Sequence, residues 1–390
     1  MRRARILDRV GLAGLAAVFV LLLASAMPLI PPRPVPVLDV WQQVVERCRH
    51  YARERLSPYP WPLKPFDRQH PVRGFYGDPR TVFTGPEEGA FSFHSGVDIS
   101  AFPGNPVYPV VSGTVVRVTG DLIAVSTVDA RRFQYIHLAP LVHAGERVVA
   151  SQTVLGTIRA RWNHVHLTEI RESCTVDPLA KGHLTPYVDT TVPTVRAILF
   201  RTPANSPISQ HALDGKIRIL ADAYDTPPIP SPIPWDSLPV SPERVTWSLS
   251  TLSGRLIVRN TGADFRWGEP LRAQFCSVYA QGTEQNSAAV EGTFHWGEPG
   301  RYLFDLTPQL LNTAYLPDGR YRVTVNALDT AGNRGTRSTV VEVAHAAVPP
   351  AIPTALDMRC AGAPLPPKSE LAGEGSMRPI AAAARVPSTP

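Results

Sequence analysis

Proline recurs 41 times among the 390 residues of this chain, and no other feature narrows the fold as much. A residue that fixes φ, lacks an amide hydrogen and ends helices cannot recur this often in a coiled coil or a helical bundle. Charged residues, at 18%, are also too few for long solvated helices. The hydrophobic fraction of 44% still permits real cores, so the prolines must gather in linkers and in the turns of a β-rich fold. The length exceeds what one ordinary core needs, and two domains with connecting segments are expected.

The formal charge of +6 does not indicate nucleic-acid binding. Arg2, Arg3, Arg5 and Arg9 against Asp8 place +3 of it within residues 1–26, leaving +3 for the rest. That basic start precedes an apolar run over 10–23 and then Ala24, Ser25 and Ala26, the pattern of a secretory signal peptide. An uncleaved membrane anchor is the alternative, but Pro28, Pro31 and Pro32 interrupt a longer helix. Either form exports the remainder to a periplasmic, extracellular or cell-wall location. In such a compartment the four cysteines suggest two disulfides, read as Cys48 with Cys174 and Cys276 with Cys360.

Residues 27–66 form a proline-rich spacer containing one amphipathic helix over 38–55. Asp39 and Gln42 fit a capping box there, and Leu38, Trp41, Val45, Cys48 and Ala52 recur at helical spacing. The helix is expected to pack on the domain that follows. Across 67–183, β-branched runs at 107–111, 113–118, 122–127, 133–137, 148–158 and 164–170 alternate with turn residues and predict an antiparallel sheet domain. Across 190–345 about seven further runs predict a two-sheet sandwich of immunoglobulin or fibronectin type. A proline-dense insert at 227–242 reads as a surface loop, the segment from Asp329 to Asn333 as a turn, and 346–390 as a disordered tail rich in proline and alanine. The fold class is mainly β.

Five of the eleven histidines fall between His94 and His166. His94 and Asp98 lie four apart on an extended segment, and His164 and His166 two apart on an alternating strand, so each pair faces one way. A catalytic zinc takes three ligands of His, Asp or Glu type and leaves one position open. His94, Asp98 and one of the paired histidines could supply them. The other histidine of the pair and His137 would then handle protons or developing negative charge. Chance alone yields roughly half an H-x-x-x-D and a third of an H-x-H at this composition, so neither motif is decisive alone. Their fixed order, with glycines and β-runs between, carries the weight.

In that order the chain resembles the lysostaphin-type zinc endopeptidases, which cleave peptidoglycan peptides. The resemblance rests on Gly74, Phe75, Tyr76, Gly77 and Arg80; His94, Ser95, Gly96, Val97 and Asp98; Gly113, Thr114 and Val115; Tyr135, Ile136 and His137; Gly145, Leu155 and Gly156; and His164, Val165 and His166. It covers about a hundred residues. It implies that His94, Asp98 and His166 bind Zn2+, that His137 and His164 are catalytic, and that the substrate is peptidoglycan peptide. The chain departs from the family at Ser151, where a glycine is usual, and in the short stretch 157–163 before the paired histidines, which bears on the substrate groove.

Other readings stand beside these. His143, and His50, His70, His183, His211, His295 and His345, have no partner spacing and read as structural or surface residues. Asp78 and Arg80 read as turn stabilisers and Tyr135 as a half-buried strand aromatic. The rival function is a non-catalytic module of the same fold that binds peptidoglycan or regulates a hydrolase. A third is a peptidase acting on an exported protein.

Overall fold

The computed structural model describes residues 40–48, 51, 57–81, 91–160, 162–286 and 299–345. The segment read as signal or anchor, most of the spacer, and the C-terminal tail lie outside these residues. Among the described residues no helix is long and apolar enough to cross a membrane.

The chain begins with helix α1 (Val40–Cys48), then enters a series of short strands: β1 (Val72–Gly74), β2 (Pro79–Arg80), β3 (Ser92–Phe93), β4 (Val97–Ser100), β5 (Pro106–Val107), β6 (Gly113–Thr119), β7 (Leu122–Thr127), β8 (Arg131–Ile136), β9 (Leu138–Pro140), β10 (Arg147–Val148), β11 (Gly156–Ile158), β12 (His164–Arg171) and β13 (Cys174–Val176). The main sheet has the order β1-β4-β12-β8-β7-β6-β10, with β13 also paired to β12. β5, β11 and β9 form a smaller sheet, and β2 pairs β3. The run at 148–158 is two strands rather than one, because Ser151 takes a positive φ of 58° in the turn between them. Val97, Ile99, Val125, Phe133, Val165 and Leu167 lie in the core of the main sheet.

A second set follows: β14 (Thr194–Arg201), β15 (Lys216–Tyr224), β16 (Arg244–Thr251), β17 (Leu256–Asp264), β18 (Leu303–Asp305), β19 (Leu311–Asn312), β20 (Gly319–Leu328) and β21 (Arg334–Val343). They make two four-stranded sheets, β14-β15-β18 with β19 beside β15, and β17-β16-β20-β21. Inward residues such as Ile219, Trp247, Val323, Val325 and Val341 share one core, the arrangement of a β-sandwich. The antiparallel, mainly β class expected from the sequence is the one observed.

Two expectations need correction. Helix α1 packs on the sandwich side, not mainly on the first sheet. Trp41 meets Phe265 edge-on at 5.2 Å and donates from Nε1 to Gly262 O at 3.1 Å. Its tie to the first sheet is covalent, through the Cys48–Cys174 disulfide. Cys276 is disulfide-bonded too, while Cys360, expected as its partner, lies outside the described residues. The 227–242 insert is a surface loop only in part: Ile233, Asp236 and Ser237 are exposed, but other stretches of it turn inward. Ser231, Leu238, Val240 and Ser241 are buried, and Val240 belongs to the core of the main sheet. Its proline-rich backbone needs few internal hydrogen bonds, so it can lie against another surface.

Candidate metal centre

Register brings the paired histidines to the first motif. Strand β12 runs antiparallel to β4, with His166 opposite Asp98 and His164 opposite Ser100. This close pairing needs Gly96, where a Cβ would fall 2.2 Å from Leu167 O. On its other side β12 pairs β8, and His137 follows at the end of β8 with φ 75°, an unusual conformation for a residue with a side chain.

His94 Nε2, Asp98 Oδ1 and His166 Nδ1 converge. Their separations are 3.1 Å from His94 to Asp98, 2.8 Å from His94 to His166 and 3.1 Å from His166 to Asp98. The far nitrogens have partners: His94 Nδ1 lies 2.8 Å from Phe75 O and His166 Nε2 2.7 Å from Thr168 Oγ1. A carbonyl can only accept, so His94 carries its hydrogen on Nδ1 and turns a lone pair inward; His166 can do the same by donating to Thr168. Three lone pairs this close repel one another unless a cation or a proton lies between them. A tetrahedral zinc with ligands at about 2.0–2.1 Å would space them about 3.3 Å apart, so the donor set fits such an ion. Two imidazoles and a carboxylate also match its preference in donor type.

The electrostatics agree. Burial, followed by the Arg80 charge, pushes the His94 imidazole down to about 3, so it is neutral at ordinary pH. Burial would raise the Asp98 carboxyl, but the adjoining His94, His164 and His166 outweigh it and hold the group well below the usual carboxylate range. Arg80 Nη2 donates to the outer oxygen, Oδ2, at 2.9 Å.

His137 and His164 border this triangle, their ring centroids 4.5 Å apart. His137 stacks on Trp162 at 3.9 Å and has Nδ1 3.3 Å from Asp121 Oδ2, which leaves Nε2 free to work. Burial, then His164 and His166, hold it down to about 2. His164 Nε2 lies 3.4 Å from Asp98 Oδ1. Its Nδ1 has Arg73 Nη2 at 2.6 Å and Trp162 O at 2.7 Å. The guanidinium can only donate and the carbonyl only accept, so this nitrogen serves one of them at a time. Burial, then Arg73, lowers the His164 pKa.

All five site residues expected from the sequence thus meet in one place. Asp78 does hold a turn, accepting from Phe75 N at 2.9 Å, but Arg80 reaches Asp98. Tyr135 is wholly buried, with its hydroxyl accepting from Val110 N. His143 is exposed beside Glu146, and His183 joins a buried network on Glu169. His50 and His295 lie outside the described residues. Sequence reasoning missed Arg73, Asp121, Trp162 and Thr168. Of these only Thr168 carried a signal, because it continues the His164 and His166 face of the same strand.

No family model matches the chain, and no curated protein matches it either. Solved structures similar to it include a zinc-containing peptidase from Vibrio cholerae, at 23% identity over 32% of this chain and 39% of that one, TM-score 0.25. Lysostaphin in solution aligns at 22% identity over 50% of this chain and 93% of its own, TM-score 0.23. The SpoIIQ–SpoIIIAH pore-forming complex aligns at 21% identity over 32% and 89%, TM-score 0.25. These are resemblances of fold, and what the site can do follows from its own geometry.

Proposed function

We propose that the chain is an exported zinc metalloendopeptidase that hydrolyses peptide bonds in bacterial peptidoglycan. Residues 67–183 would form the metallopeptidase domain, 190–345 an immunoglobulin-like sandwich, and 1–26 the export signal or anchor. The observation that carries the reading is the convergence of three lone pairs at 2.8–3.1 Å, at least one with its hydrogen held on the far side. His94, Asp98 and His166 would hold the metal. Zinc bound there supplies Lewis-acid polarisation of a peptide carbonyl and a water acidified towards neutrality.

The protein's own groups do the rest. His137 and His164, both neutral before reaction, divide two tasks: one accepts the proton of the attacking water and delivers it to the leaving amine, the other donates to the tetrahedral oxyanion. Asp121 fixes the ring of His137 from behind, and Trp162 limits its rotation by stacking. Phe75 O and Thr168 orient the two histidine ligands.

Purified mature protein incubated with cross-linked peptidoglycan should release peptides identifiable by mass, and should stop doing so after chelation. His94→Ala should lose bound zinc and activity together. Zinc retained by that variant would sink the ligand assignment. Zinc bound by the native chain with no fragments released would overturn the peptidoglycan substrate and leave the non-catalytic module or a peptidase of an exported protein.

A further inference from the structure

A second group of ligand-type side chains lies away from the histidines. Asp189, in the segment between β13 and β14, Asp225, just past β15 at the start of the 227–242 insert, and Asp329, just past β20, bring one carboxylate oxygen each within 4.8 Å of one another. All three are buried. None forms an ion pair with a described arginine or lysine, so among the described residues three acidic groups share a low-dielectric pocket without a counter-charge.

Five of the six oxygens are partnered. Asp189 accepts from Thr191 N and Oγ1 through Oδ1 and from Tyr187 OH through Oδ2. Asp329 accepts from Asn333 N and Nδ2. Asp225 Oδ1 accepts from Thr226 N at 2.8 Å, but its Oδ2 has no partner although the residue is only 1% exposed. A buried carboxylate oxygen left without a protein partner beside two other carboxylates calls for a proton, a water or a cation, and a cation alone also offsets the charge of the other two. Burial, then Asp189 and Asp329, pushes the Asp225 carboxyl up to about 8 against the opposing hydrogen bonds from Thr226 N and Thr191.

We propose that Asp189, Asp225 and Asp329 bind a calcium ion. An all-oxygen set of three carboxylates suits a hard cation, and calcium, with its flexible coordination, accommodates carboxylates already held by protein hydrogen bonds more readily than magnesium with its strict octahedron. The ion would tie three segments: the connection leaving the main sheet, the base of the insert and the β20–β21 turn. The insert base is already closed by Asp225 and Val240, which exchange backbone hydrogen bonds. Further along, the Trp235 ring lies 4.0 Å from the Arg73 guanidinium, which in turn reaches His164. Calcium would therefore brace the segment that backs one side of the histidine site.

The test is calcium binding and thermal unfolding of the purified chain, repeated on His94→Ala so that the result is independent of zinc. At about 5 mM CaCl2, above the range typical of extracellular calcium modules, one bound ion per chain and a rise of about 4 °C or more in Tm are expected. Equimolar MgCl2 should give much less, and Asp225→Asn should lose the calcium response while folding. If that variant does not fold, Asp329→Asn is read in its place. Absence of bound calcium in the native chain overturns the proposal. So does an equal response in Asp225→Asn, or a Tm that follows pH alone with no effect of calcium, which would mean that a proton fills the role.

Discussion

Arg80 illustrates how a side chain one step removed from the site can set its strength. It holds Asp98 Oδ2 at 2.9 Å and so leaves Oδ1 directed at His94 and His166. The neighbouring Gly74 makes room, since a Cβ there would lie 2.6 Å from the same Oδ2. Arg80→Met keeps the length of the side chain and removes both the hydrogen bond and the positive charge. Zinc affinity should fall about 10- to 100-fold, as for other partners behind a metal ligand, read by competition with a chromophoric chelator; unchanged affinity would mean that Asp98 needs no support. The sequence places Arg80 in a turn and gives no sign of this contact. The convergence of His94, Asp98, His137, His164 and His166 was legible because their chemistry and alternation appear within short motifs. Arg80, Asp121 and Arg73 were not, because each reaches the site from another strand or turn, at a distance set only by sheet register.

At the scale of elements, β12 does most of the positioning. It is buried along its whole length and carries two site histidines, Thr168 and Glu169, the last held by Tyr59, His183 and Arg171. The β4 segment must approach it closely, and Gly96 is where no side chain fits. Gly96→Ala would force the Leu167 carbonyl away from its 2.2 Å position and shift His166 relative to Asp98. A loss on the order of 2 kcal/mol in unfolding free energy is expected, together with weakened zinc binding, measured by denaturant titration and metal content. Strand identity was readable from β-branched runs between turn residues. The path of the insert was not: a proline-rich stretch looks the same whether it lies in water or, like Val240, under a neighbouring sheet.

For the molecule as a whole, the second set of sheets is more than an appendage. Phe93, next to His94, packs with Phe275 and Tyr279. Ser241 N donates to Asp78 at 2.6 Å, and Tyr279 OH donates to Gly77 O at 2.7 Å. The loop bearing His94 is thus fixed from the sandwich side, and stability of the joint should be felt throughout. Two carboxyls near that joint report on it. Burial first, then Asp177, pushes Glu243 up to about 8, and burial also raises Glu269 to about 8 although Arg47 opposes it. A carboxyl whose folded pKa is raised binds more protons folded than unfolded, so its stabilising contribution is complete below about 4.5 and is lost as pH rises towards 8. Buried His94 and His137 act in the opposite sense, losing stability as pH falls below about 6.5, and no longer contribute a change above neutrality. Between pH 7 and 8.5 these two carboxyls therefore set the slope together with Asp225, raised to about 8, and Asp78, raised to about 7. Tm should fall over that interval by a few degrees, on the order of 1 kcal/mol per group before solvent screening. Combining Glu243→Gln with Glu269→Gln should make the decline shallower, leaving the part due to Asp225 and Asp78; a decline as steep as in the native chain would show that neither glutamate is held protonated in the fold.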